Sequence, residues 1–381
     1  MKILILSNCY TRPNFNARLR YQCEYLTRQG HQISVFTEAW DPITFEHSYP
    51  ITELGFYHLG YITWALKSLI TAMTNSKERS LARRVMRCIR NQHFDAILCS
   101  TNSYSPMGAA KIIADKLHLP LHIDMWELEE LVPGEPVSYQ RQWWFKSFRK
   151  WNKSTRLRRR NEVLVAANSI TTISPEHVKQ IRPFNDNVTL IYNGFNPNQY
   201  SRQDVHTDAF RINYLGRLYN QQQPDLVMKA IQQLQSELPK LHASFYTNSS
   251  AYFRLGYNDI HIHGFLPKEI LNDTIRHASI ILLFDDPFVS GMQNVKFYET
   301  LGCEKPVLYT PTTKGLLPDV IRLTNAGLCT DNIEEIKTFI RDKYEEWKTN
   351  GFTHQPVQHK DLFDSHKQAQ QLEQLLSQLI Q

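Results

Sequence analysis

Short apolar runs, each followed by a stretch with helical spacing, recur along the whole chain and limit what it can fold into. The first is Ile3-Leu4-Ile5-Leu6-Ser7, and others follow at 33–37, 96–99, 121–123 and 169–173. Between them, 17–29 places Leu19, Cys23 and Leu26 on one helical face and stops at Gly30, a residue suited to the position after a helix. Residues 106–116 and 143–167 also read as helices. Strands that lack polar alternation and are separated by helices imply a parallel sheet covered on both faces.

The rhythm stops once and restarts. After a strand at 188–191 comes Tyr192-Asn193-Gly194-Phe195-Asn196-Pro197, whose Asn, Gly and Pro residues break regular structure. Strands are then expected at 211–215, 242–246, 261–263, 280–284 and 307–309, and helices at 225–238, 294–301 and 333–347. The predicted class is α/β: two Rossmann-like, doubly wound domains facing across a crevice. Their expected bounds are 1–192 and 193–361, with a helix at 362–381 packing back across the seam. A chain of 381 residues suits two domains of about 150 or more.

Composition excludes several classes. No run of about 18 apolar residues is present, so no membrane-spanning helix is expected. The apolar start is short, with Asn8 and Thr11 close behind and no small-residue cleavage pattern, so it reads as a buried strand rather than a signal peptide. Cys9, Cys23, Cys88, Cys99, Cys303 and Cys329 show no metal or redox spacing; reduced thiols in the cytoplasm are expected, several of them buried. His261-Ile262-His263 alternates like a half-exposed strand, with metal binding the lesser alternative.

Charge is uneven. Through Tyr192 there are 25 basic and 16 acidic residues, and 18 and 21 follow, so the first half suits an anionic partner. Residues 143–160 interleave Trp143, Trp144, Phe145, Phe148 and Trp151 with Lys and Arg and run into Arg158-Arg159-Arg160; 56–73 is also amphipathic. Both suit an anionic membrane surface, on the inner face of the cytoplasmic membrane. The alternative is a solvated basic helix whose aromatics pack on the sheet. No nucleic-acid motif accompanies the cations, so nucleic acid is not an expected partner.

The richest stretch for chemistry is 284–306. An apolar strand ends at Phe284, a loop with Gly291 follows, and a helix starts near Asn294. Free N–H groups at a helix start attract anions. Lys296 sits in the first turn, and Glu299 is three residues on, hence on the same face. Lys296 suits a phosphate, and the Glu299 carboxylate suits two neighbouring hydroxyls, as a ribose presents. An ordinary surface ion pair explains the same spacing.

Asn294-Val-Lys296-Phe-Tyr-Glu299-Thr-Leu-Gly302-Cys-Glu-Lys305-Pro306-Val307 resembles the donor-site pattern of the retaining family 4 glycosyltransferases of GT-B fold. Further fragments resemble that family in order: Gly30-His31 to Thr37, Asp124-Met-Trp126, Ile173-Ser-Pro-Glu, Ile191-Tyr-Asn193-Gly194, Gly216-Arg217-Leu218 and Gly264-Phe265. The resemblance covers nearly the whole chain. It implies a transferase that moves a sugar with retention, without metal or cofactor, from a nucleotide sugar (UDP- or GDP-linked) to a glycan or lipid-linked acceptor in bacterial surface-polysaccharide synthesis. It implies donor contacts from Gly216, Arg217, Gly264, Phe265, Gly291, Met292, Gln293, Asn294, Lys296 and Glu299. On the acceptor side it implies Asn14, Arg18, Asp124 and Trp126. Asp124, Arg217 and Lys296 are the candidate catalytic residues, Asp124 as base or as a positioning group. Alternatives on the same fold are a non-hydrolysing nucleotide-sugar epimerase and a silent glycan- or partner-binding subunit. Three positions depart from the pattern: Gly291 stands where a first Glu is usual, Gln222 where a second basic residue is usual, and Tyr10 to Asn16 replaces a glycine-rich loop. Asp285-Asp286 resembles a metal-binding Asp-x-Asp pair, but a loop role is favoured for it here.

Overall fold

The structure is a computed structural model of the chain. It describes residues 1–8, 17–38, 43, 45–54, 70, 73–131, 146–218, 222–247, 260–285 and 294–380, apart from the side chains of 146, 148, 149 and 268. These divide into two compact units, Met1–Tyr192 with His366–Gln381, and Asn193–Ser365.

The first unit runs β1 (Lys2–Asn8), α1 (Ala17–Arg28), β2 (Gln32–Glu38), β3 (Ile51–Glu53), α2 (Ser76–Cys88), β4 (Ala96–Thr101), α3 (Tyr104–Leu117), β5 (Leu121–Met125), α4 (Lys146–Ala166), β6 (Ser169–Thr172), α5 (Pro175–Ile181) and β7 (Val188–Leu190). Its strands pair in parallel in the order β3-β2-β1-β4-β5-β6-β7. Successive side chains of a strand point to opposite faces. Leu4 and Leu6 of β1 accordingly join one core with Ile97, Cys99 and the helices α2, α3 and α4. Ile3 and Ile5 join another with Leu98, Val35 and α1.

The second unit runs β8 (Phe210–Leu215), α6 (Asp225–Leu234), β9 (Leu241–Tyr246), β10 (Ile260–His263), α7 (Lys268–Arg276), β11 (Ile280–Phe284), α8 (Val295–Cys303), β12 (Val307–Thr310), α9 (Leu316–Thr324), β13 (Gly327–Cys329) and α10 (Ile333–Asn350). Its parallel order is β10-β9-β8-β11-β12-β13. α11 (Ser365–Ile380) then packs on the first unit, burying Leu372 and Leu376 against Ile3, Leu19 and Leu26. Glu373 of α11 holds His31 Nε2 at 2.6 Å and accepts from the Tyr25 hydroxyl at 3.2 Å.

Two expectations need correction. The helix at 225–238 ends at Leu234 and continues as turns, because Leu238 precedes Pro239, whose ring disfavours helical backbone in the residue before it. Asn294 does not begin its helix but caps it, its side chain accepting from Lys296 N–H. Among the described residues no helix is long and apolar enough to cross a membrane. Cys88, Cys99, Cys303 and Cys329 are free thiols.

Candidate functional site

In an open parallel sheet, ligands bind beyond the carboxyl ends of the strands where the strand order reverses. In the second unit that point lies between β8 and β11. Gly216 follows β8 with φ +147°, a conformation side chains rarely adopt, and exposed Arg217 comes next. The Tyr214 hydroxyl donates to Arg217 O at 2.8 Å and the Thr247 hydroxyl accepts from Leu218 N–H at 3.2 Å, which ties this turn to the ends of β8 and β9. Thr247 N–H in turn donates to His263 O at 3.1 Å, so Gly264 and Phe265 leave the same sheet edge after β10. Both are exposed.

β11 ends in Phe284, whose carbonyl accepts from Gln222 Nε2 at 3.2 Å. Asp285 follows, and its carboxylate accepts from the Tyr309 hydroxyl at 2.7 Å and from the Thr312 hydroxyl. Both its oxygens thus accept from hydroxyls on and just beyond the neighbouring strand β12. Among the described residues no group of His, Cys, Asp and Glu is arranged to hold a metal ion. Asp286, Gly291, Met292 and Gln293 lie outside the described residues.

α8 carries the rest of the donor-side set. Asn294 Oδ1 takes one N–H of the first turn, that of Lys296, at 2.9 Å. Lys296 Nζ donates to Glu299 Oε2 at 2.6 Å. The sequence did not single out Tyr200, whose hydroxyl donates to Glu299 Oε1 at 3.0 Å. Tyr200 and Phe195, both buried, come from the segment after Tyr192 and pack on α8 where Gly302 leaves room. Glu299 is therefore fixed from both sides, by a cation one helical turn back and by a hydroxyl from a distant stretch of chain.

In the first unit the strand order reverses between β1 and β4. Asp124 of β5 is fully buried. Its Oδ1 accepts from Arg18 Nη2 at 3.0 Å and the Thr171 hydroxyl at 2.8 Å; its Oδ2 accepts from the Ser100 hydroxyl at 3.0 Å and Arg18 Nε at 3.2 Å. Burial by itself would raise the Asp124 carboxyl. The Arg18 charge, hydrogen bonds from Arg18 and Thr171, and the charge on His122 outweigh it and hold the group below its ordinary value. Arg18 also donates to Ile191 O and Tyr192 O, at 3.0 and 2.6 Å. This geometry fits a positioning group rather than a base, since no oxygen is left to receive a substrate proton. Trp126 is half-buried just beyond β5. Asn14 lies outside the described residues.

The basic stretch of α4 is less outward-facing than its sequence suggests. Arg156 pairs with Glu129, and buried Arg160 grips both oxygens of Glu130 at 2.6 and 2.8 Å. Arg159 is buried as well. Two loop carboxylates after β5 thus draw in cations that the sequence alone assigns to an anionic partner. Lys150, Trp151 and Arg158 stay exposed, and an open groove of about 680 Å³ runs along Lys150, Lys153, Leu157, Val165 and Phe184. Residues 143–145 and most of 56–73 lie outside the described residues.

Residues 16–199 match the family model described as Glycosyltransferase Family 4. Over that segment the chain is similar to glycosyltransferase family 4. No curated protein sequence matches it. Among solved structures, sucrose-phosphate synthase from Thermosynechococcus elongatus is similar with a TM-score of 0.68 at 16% identity, covering 100% of this chain and 99% of that one. HepE from Anabaena, solved with UDP-glucose, gives 0.62 at 16% identity over 99% and 100%. The lipopolysaccharide outer core galactosyltransferase WaaB gives 0.62 at 10% identity over 99% of each chain. At such identities the likeness carries the fold. Family and fold together make this chain a glycosyltransferase of GT-B fold, with two Rossmann-like units.

Proposed function

We propose that this glycosyltransferase moves a hexose with retention from a UDP- or GDP-linked donor to a hydroxyl of a glycan or lipid-linked acceptor, as a step in bacterial surface-polysaccharide synthesis. The second unit takes the donor and the first takes the acceptor. The observation that carries the reading is the Lys296–Glu299–Tyr200 arrangement on the helix that follows β11. Its parts match a nucleotide: a cation and helix N–H groups for the diphosphate, and a fixed carboxylate for the ribose hydroxyls. HepE, similar in fold, was solved with UDP-glucose.

In this reading the bond from the sugar carbon to the diphosphate breaks as the acceptor oxygen bonds to that carbon on the same face. The acceptor proton passes to the departing diphosphate. Arg217 and Lys296 stabilise the charge that develops there, in place of a metal ion. Gly264 and Phe265 border the base, and Gly291, Met292 and Gln293 border the sugar. Arg18, held by Asp124, orders the acceptor side together with Trp126. Lys150, Trp151 and Lys153 support contact with an anionic membrane surface, at the inner face of the cytoplasmic membrane.

Calorimetry against UDP, GDP, ADP and CMP tests the donor assignment. One nucleotide should bind, and Arg217→Ala and Lys296→Ala should each weaken it about ten-fold or more and abolish turnover. Full turnover in either variant would overturn the assignment. Binding of none of the four points to a silent subunit, and conversion of donor alone points to an epimerase.

A further inference from the structure

The carboxyl edge of the first sheet presents a second carboxylate in a different way from Asp124. Asn8 ends β1 and Thr101 ends β4, the neighbouring strands at which the order reverses; Asn102 and Glu127 lie just beyond β4 and β5. The Thr101 hydroxyl donates to Asn8 Oδ1 at 2.6 Å, Asn8 Nδ2 donates to Asn102 Oδ1 at 2.9 Å, and Asn102 Nδ2 donates to Glu127 Oε2 at 2.6 Å. Each link passes a donor forward. The two amides are held in one orientation, and the run terminates on an oxygen that can only accept.

The same loop carries Glu129 and Glu130, both matched by arginines of α4. Glu127 is treated otherwise. It is half-buried, and among the described residues the neutral amide of Asn102 is its one hydrogen-bond partner. Its Oε1 is left to accept. A carboxylate aimed by an amide, at the switch point of a doubly wound sheet, is suited to a neutral hydroxyl.

We propose that Glu127 binds the acceptor, its Oε1 accepting a hydrogen bond from a sugar hydroxyl, and that Asn8 and Asn102 position it. This rests on the reading of the first unit as the acceptor-binding one. It gives that unit a ligand-facing carboxylate, a part Asp124 cannot play with both its oxygens occupied.

Octyl β-D-glucopyranoside and octyl β-D-galactopyranoside serve as probes, with binding to the full chain read by saturation-transfer NMR. UDP and GDP affinity and thermal midpoint are measured on the same samples. The wild type should bind at least one hexoside, and Glu127→Gln should weaken it about ten-fold or more, with nucleotide affinity and midpoint unchanged. Asn102→Ala, which keeps the carboxylate but removes its amide donor, should weaken it by a smaller factor. An unchanged hexoside signal in Glu127→Gln, or none from the wild type, overturns the proposal. A wild type that binds hexoside through Glu127 but neither nucleotide overturns the donor assignment instead.

Discussion

Arg18 Nη2 lies 3.0 Å from Asp124 Oδ1, and the pair joins α1 to β5 with the carboxylate wholly out of water. Removing one partner of a buried pair leaves an uncompensated charge. Arg18→Met should therefore destabilise the first unit by about 3–5 kcal/mol at pH 7. Because the folded Asp124 value is held below its ordinary 3.8, the wild-type contribution is complete above about pH 4 and is lost as pH falls through the folded value. In Arg18→Met the charge and hydrogen bonds that most oppose burial are gone, and the Thr171 hydrogen bond and His122 oppose it alone, so the carboxyl should rise and protonation relieve the unpaired charge. Urea denaturation should show variant and wild type converging as pH is lowered from 7 to 5. A gap that stays constant would contradict this account.

His122 gives the first unit an acid limit of its own. Burial pushes its imidazole down to about 4, against the pull of the Asp124 charge, and its ring nitrogens meet the Ser169 and Thr171 hydroxyls at 2.6 and 3.0 Å. An unfolded chain takes up this proton near pH 6.5, so the folded state loses ground between there and about pH 4. The loss amounts to roughly 3 kcal/mol for a shift of this size. His122→Gln keeps a neutral hydrogen-bonding side chain and should flatten the urea midpoint between pH 7 and 5, while lowering it at pH 7. Buried His177, also held to about 4, should leave the variant a residual slope.

The strands were legible in the sequence because parallel strands buried on both faces read as unbroken apolar runs, as Ile280 to Phe284 does. What escaped was short or masked by charge: the edge strands Ile51–Glu53 and Gly327–Cys329 have three residues each, and the helix Ser76–Cys88 is dominated by Lys, Arg and Ser. At the candidate site, spacing alone placed Lys296 and Glu299 on one face. The links through Tyr200, 99 residues from Glu299, and through Arg18, 106 from Asp124, depend on how distant segments pack. The Asn8–Asn102–Glu127 run had a faint signal, polar residues closing apolar strands, but only the register of β1 and β4 reveals that they meet.

Gly302 shows how tightly the segment after Tyr192 is packed on α8. An added Cβ would stand 2.6 Å from Phe195 Cδ2 and 2.9 Å from Tyr200 Cβ. Gly302→Ala should cost about 1–3 kcal/mol through overpacking. Displacing Tyr200 would also release Glu299, so UDP or GDP affinity should fall with the thermal midpoint. Gly264 supplies the control. A Cβ there meets nothing within 4 Å, so Gly264→Ala should stay within about 0.5 kcal/mol of wild type. Equal midpoints for the two variants would refute the packing argument.

Along α4, inward and outward cations should separate stability from surface binding. Arg160 is buried and grips Glu130, so Arg160→Gln strands a half-buried carboxylate and should lower the denaturation midpoint without changing adsorption to vesicles. Lys150 and Lys153 line the open groove, so Lys150→Glu with Lys153→Glu should leave the midpoint near wild type. The same double variant should abolish sedimentation with vesicles containing phosphatidylglycerol. Wild-type sedimentation should fall steeply between 50 and 300 mM salt, because exposed charges separated by more than about 10 Å are screened at about 0.1 M. Equal binding to neutral and anionic vesicles, or undiminished binding by the double variant, would show that these lysines do not dock the chain on a membrane. The groove along Leu157, Val165 and Phe184 would then need a different occupant.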